Sequence, residues 1–216
     1  MTATRVGFAL TGSFCTFARA FDAIERLVAL GYDVTPVLSY QVLNADMRFF
    51  RYAEVFDRLK KATGQEPLTT LQQVEPIGPK KMLDAYIVAP MTGASMAKMA
   101  HGIFDSPALL GIKSHLRNDR PVLIAPSTND GLSMSAENIG KILNMKNVYM
   151  VPFGQDDPVK KPRSLVAHFD LIPEALAAAL DGAGCHIGRR GKERRQLGPR
   201  RDAELVLGAA GVGGEV

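Results

Sequence analysis

Three short apolar runs, each ending in small hydroxyl or amide residues just where a helical pattern begins, constrain this chain more than any other feature. They are Gly-Phe-Ala-Leu-Thr-Gly-Ser at 7–13, Val-Ala-Pro-Met-Thr-Gly-Ala-Ser at 88–95 and Ile-Ala-Pro-Ser-Thr-Asn-Asp at 124–130. Strand, turn and helix in that order, repeated, predict a parallel sheet covered by helices on both faces, with the polar turns gathered at the carboxyl ends of the strands. Backbone N–H groups and short hydroxyl side chains converging there suit an anion or a phosphorylated ligand.

The rest of the pattern fits this frame. Strands are expected at Arg5–Leu10, Asp33–Ser39, Asp84–Ala89, Pro121–Ala125 and Asn147–Val151, the last ending at Pro152. Helices are expected at Phe17–Leu30, Met47–Thr63, Ala94–Phe104, Ala108–Arg117, Ser135–Leu143 and Leu171–Leu180. In the second of these, Phe50, Val55 and Leu59 face the core. Segments Gln65–Lys81 and Phe153–Arg163 read as loops. The expectation is a three-layer, Rossmann-like α/β domain over residues 1–181, followed by a basic, Gly/Arg-rich tail at 182–216 that reads as disordered.

Charge is concentrated in that tail. Of the net +4, residues 182–216 carry seven basic and four acidic side chains, and residues 1–181 carry 19 and 18. A nearly neutral body argues against a nucleic-acid partner. No stretch approaches the ~20 apolar residues of a membrane helix, and the N-terminus lacks a signal-peptide core, so a cytoplasmic protein is expected. Cys15 and Cys185 read as free thiols, Cys15 as packed rather than catalytic. The four histidines lack metal-ligand spacing. The methionines, including Met91, Met96, Met99, Met134, Met145 and Met150, suit core filling or an interface between copies.

The ligand is narrowed by what the turns are not. Gly7 to Cys15 lacks the third glycine of a dinucleotide fingerprint, and no Walker-type Gly-Lys-Ser/Thr occurs. A mononucleotide such as FMN fits the pattern, with Gly12 allowing close approach and Ser13 binding phosphate oxygens. The same residues would serve equally to cap helices and turn corners.

Thr11-Gly12-Ser13, Ser39, the run Pro90 to Lys98 and Asn129 together resemble the flavoprotein family that includes the cysteine-type decarboxylases. A closer resemblance is to the family of dipicolinate synthase B subunits from spore-forming bacteria. It is carried by Thr11-Gly12-Ser13, Ala89 to Met96, Asp105-Ser106-Pro107, Ser127-Thr128-Asn129-Asp130 and the long run Val151 to Pro162. This resemblance implies a role in oxidising a dihydrodipicolinate-type precursor to dipicolinate, in the mother-cell cytoplasm of a sporulating bacterium. It also implies a partner, the dipicolinate synthase A subunit, that handles NADP, with self-association into a homo-oligomer expected as well. By the same resemblance, FMN phosphate meets Gly12, Ser13 and Ser39, the flavin ring meets the turns that hold Thr92, Ser95, Ser127, Thr128 and Asn129, and Thr11 is a further cofactor-binding residue.

Departures from the decarboxylase pattern count too. Residues 64–84 contain no histidine where those enzymes use one, which argues against decarboxylation. Gly93 replaces the usual Ala and Ser95 the common Thr. The catalytic residue stays unassigned. Lys98, Lys160 and Lys161 are candidates for binding a dicarboxylate substrate or the partner, with Lys113, Arg117 and Arg163 as further cations. The alternative is a flavin-less scaffold whose catalysis belongs to the A subunit.

Overall fold

The computed structural model describes residues 2–43 and 51–182. Seven strands run β1 (Arg5–Leu10), β2 (Asp33–Leu38), β3 (Ala85–Met91), β4 (Val122–Thr128), β5 (Val148–Met150), β6 (Phe153–Asp157) and β7 (Lys161–Ala167). The helices are α1 (Phe17–Ala29), α2 (Tyr40–Leu43), α3 (Tyr52–Thr63), α4 (Leu71–Val74), α5 (Gly93–Ala100), α6 (Pro107–Leu116), α7 (Ser135–Leu143) and α8 (Ile172–Leu180). The expected start of the second long helix at Met47, the core role of Phe50, Cys185 and the tail from 183 onward lie outside the described residues.

Strands β2, β1, β3, β4 and β5 lie side by side and parallel, in the doubly wound order 2-1-3-4-5. The order reverses between β1 and β3, which opens a crevice at their carboxyl ends. Side chains alternate across the sheet, and both faces are apolar. Val6, Phe8, Leu10, Ile87, Ala89, Leu123 and Ala125 pack with Phe17, Phe21 and Ile24 of α1 and with α8 on one side. Ala9, Tyr86, Val88, Val122 and Ile124 pack with Met96, Met99, Leu109, Ile112 and Ile139 on the other. Each fully buried large side chain contributes about 1.5–3 kcal/mol over exposure.

Local chemistry sets the helix ends. Thr92 accepts a hydrogen bond from the Ser95 amide at 3.2 Å, Ser106 caps α6 with Pro107 in its first turn, and Gly64 closes α3 in the left-handed region at φ 71°. Tyr86 is wedged between glycines. A Cβ on Gly7 would stand 2.5 Å from its ring, and one on Gly111 would collide with its ring and hydroxyl.

The structure corrects the sequence reading in three places. Strands β3 and β4 run past their prolines to Met91 and Thr128, because the prolines fall where the β3–β4 register shifts and the ladder needs fewer N–H donors. Phe153–Arg163 is not a loop. It supplies β6 and the first part of β7, an antiparallel hairpin closed by Asp157, whose Oδ1 accepts from the amides of Val159 and Lys160. The sheet is therefore mixed: β5 borders the first half of β4, and β7 runs antiparallel to its end, pairing Ser127 with Val166 and Thr128 with Leu165. The Gln65–Lys81 excursion holds α4, started by a Thr70/Gln73 capping box, and a 3-10 turn at Glu75–Ile77.

Candidate functional site

The three polar turns meet at the carboxyl edge of the sheet and, with the β6–β7 hairpin, enclose an open cleft of about 700 Å³. That is within the range of small-molecule sites. Its lining includes Gly12, Ser13, Thr92, Ser127, Thr128 and Asn129 from the turns that the sequence singled out. Ser13 Oγ and Ser127 Oγ lie 2.7 Å apart and tie the β1 turn to the end of β4, while Thr16 Oγ1 donates to the Ser13 carbonyl at 2.8 Å.

Other sequence candidates stand behind this lining or outside it. Thr11 is buried; its hydroxyl donates to the Pro90 carbonyl at 2.8 Å and accepts from the Thr92 amide at 3.0 Å, clamping the first two turns together. The Ser95 hydroxyl is taken by Thr92 at 2.9 Å. Ser39 is 1% exposed, beside the first turn through the hydrogen bond from its amide to the Leu10 carbonyl, and its hydroxyl has no partner among the described residues. An orphaned buried hydroxyl next to a glycine-containing turn and the start of a 13-residue helix suits an anionic oxygen atom.

Among the lysines, Lys161 lines the cleft, its ammonium 2.6 Å from Asp156 Oδ2. The hydrogen bond to Asp156 raises its pKa, with a smaller push from Cys15. Lys98 pairs with Asp105 at 2.7 Å, and Lys160, Lys113, Arg117 and Arg163 do not line the cleft. Cys15 is exposed and lines the cleft, contrary to the packed thiol expected, because the 3-10 turn Phe14–Thr16 rotates it outward. Met134, expected in a core or interface, is 85% exposed.

Sequence reasoning missed Arg19, Asp130, Asp156 and Ser164. Arg19 was legible as a cation in the first turn of the helix after the first junction. Ser164, which donates to the Thr128 carbonyl at 3.2 Å, reaches the site only because β7 pairs with β4. Asp130 accepts from the hydroxyls of Thr128 and Ser135, the latter at 2.8 Å, and the Thr128 hydroxyl is the main cause of its lowered pKa. The cleft thus carries cations on α1 and β7 and a fixed carboxylate by α5 and α7.

The sequence profile of the flavoprotein family matches residues 1–171. The chain belongs to the flavoprotein family. Within it, this flavoprotein is 44% identical over 176 residues to the dipicolinate synthase B subunit of Bacillus subtilis (strain 168), spanning 82% of this chain and 88% of that one. The crystal structure of the dipicolinate synthase B subunit from Bacillus halodurans C superposes with a TM-score of 0.77 at 43% identity, covering 84% of this chain and 93% of that one. This flavoprotein is therefore a homologue of the dipicolinate synthase B subunits. It shares its fold, at 15% identity and a TM-score of 0.59, with the FMN-dependent cysteine decarboxylase SpaF over 84% of this chain and 97% of that one. No helix among the described residues is long and apolar enough to cross a membrane.

Proposed function

We propose that this chain is the flavin-binding component of a dipicolinate synthase, oxidising a dihydrodipicolinate-type precursor to dipicolinate in the cytoplasm of a sporulating cell. The observation that carries this reading is the 44% identity to a dipicolinate synthase B subunit across most of both chains. The hydroxyl-rich cleft at the sheet's switch point supports FMN as the cofactor. Gly12, Ser13, Thr16 and the orphaned Ser39 hydroxyl hold the phosphate, and Thr92, Ser127, Thr128 and Asn129 border the ring. Thr11 and Ser95 shape those turns from behind.

Aromatising a dihydropyridine removes a hydride and a proton, and a bound flavin supplies the hydride acceptor. The chain's own part is to bind and orient the substrate. Lys161 and Arg19 meet its carboxylates, and the hairpin walls off one side of the cleft. A partner A subunit binds NADP and docks near the exposed Lys160 and Val159 at the hairpin tip, and the exposed Leu132 and Met134 join copies of this chain into a homo-oligomer.

Co-expression with a dipicolinate synthase A subunit tests this. Flavin absorbance in the purified complex, with dipicolinate formed only when both chains are present, is the expected result. Product without bound flavin would move the chemistry to the partner.

A further inference from the structure

We propose that Asp130 is the positioning residue of the cleft floor, clasping the Thr128 hydroxyl so that the Thr128–Asn129 turn is held against the start of α5, and that Gly93 lacks a side chain because this carboxylate complex stands opposite it. The proposal rests on the flavin reading of the cleft.

Three observations carry it. A Cβ on Gly93 would lie 2.6 Å from Thr128 Oγ1, 2.7 Å from Ser135 Oγ and 2.9 Å from Asp130 Oδ1, so all three atoms of the cluster pack against one Cα. Asp130 Oδ1 accepts from both hydroxyls, and its carbonyl accepts from the amides of Ser133 and Ser135 at 2.9 and 3.2 Å, which joins the end of β4 to the first turn of α7. Gly93 opens α5 directly after Thr92, so the same cluster also fixes the β3 turn. Two cleft-lining turns are thereby locked by one carboxylate.

The second consequence is electrostatic. No lysine, arginine or histidine pairs with Asp130 among the described residues, and no other described residue donates to its Oδ2. The side chain nevertheless lines the cleft. A fixed negative charge hydrogen-bonded only to hydroxyl and amide groups, with no cation in contact, is felt by a ligand in the cleft. It opposes the build-up of negative charge on a flavin as it is reduced. Asp130 therefore sets both the shape of the turn and the field it presents.

The test is a double-mutant cycle on the chain reconstituted with FMN, read by flavin fluorescence titration and by the reduction potential of the bound flavin. Gly93→Ala forces Thr128 away from Asp130 and weakens FMN binding about tenfold, an effect typical of coupled neighbours. In Asp130→Ala the cluster can yield, so adding Gly93→Ala costs less than about threefold more. Asp130→Asn keeps an acceptor for both hydroxyls, so it retains FMN, yet it raises the flavin potential because the charge is gone. A purely structural role would leave that potential unmoved. Losses at 93 and 130 that simply multiply, or an Asp130→Asn potential equal to wild type, overturn the proposal and leave the flavin reading standing. A wild-type chain that takes up no FMN, with or without its partner, ends both.

Discussion

Ser13 and Ser127, 114 residues apart in the chain, bring their hydroxyl oxygens to 2.7 Å at the mouth of the cleft. Each ends a different strand-turn unit, and each lines the cleft. Such a hydroxyl pair can redirect its protons toward a ligand that enters the cleft. On the proposed reading, Ser13→Ala lowers FMN affinity about tenfold, the worth of a hydrogen bond to a charged group, and Ser127→Ala, beside the ring, lowers it about fivefold, the worth of a neutral one. Fluorescence titration measures it; unchanged affinity in both variants would leave the pair as a strand tie alone.

Lys161 shares its ammonium with Asp156, so on the proposed reading a dicarboxylate substrate would compete for it. Lys161→Gln is expected to raise KM for the dihydro precursor about tenfold with little change in kcat, while Asp156→Asn lowers KM by releasing the cation. Steady-state kinetics of the complex with the A subunit read both. A fall in kcat with KM unchanged would remove Lys161 from substrate binding.

Tyr86 fills the space that Gly7 and Gly111 leave, and its hydroxyl donates to the Ala108 carbonyl at 3.1 Å. Gly111→Ala overpacks this contact and costs about 1–3 kcal/mol in chemical denaturation. Pairing it with Tyr86→Leu recovers part of that loss if the steric account holds; simple addition of the two costs would contradict it.

His115 is fully buried beside Tyr86, and among the described residues neither ring nitrogen makes a well-formed hydrogen bond, the Pro121 backbone offering only a marginal one. Burial, reinforced by Arg120, pushes its pKa down to about 4. The unfolded chain, with an ordinary histidine, takes up a proton near pH ~6.5 that the folded chain refuses. The folded state therefore loses stability as pH falls from about 6.5 to about 4, by about 3 kcal/mol in all, and nothing is lost above that window. His115→Phe flattens this slope in denaturation measured across the range. An unchanged slope would place the titration elsewhere.

Much of this protein was legible locally. The continuous apolar runs require burial on both faces, so a helix-covered parallel sheet followed from them alone. The hydroxyls of Thr92 and Ser106, ahead of helical segments, mark helix starts by the same short-range chemistry. The polar turns therefore fell at the right edge.

The tertiary structure decided which of those turns meet and what each side chain does there. Strand order brings Ser13 to Ser127, and antiparallel pairing with β4 turns a polar, proline-bearing segment into a hairpin that delivers Ser164, Asp156 and Lys161. The same long-range packing hides Thr11 behind the lining, turns Cys15 outward and sets Gly93 against Asp130. Backbone preferences and capping act over a few residues and can be read from sequence, whereas these relationships are contacts between distant segments, fixed only when the sheet assembles.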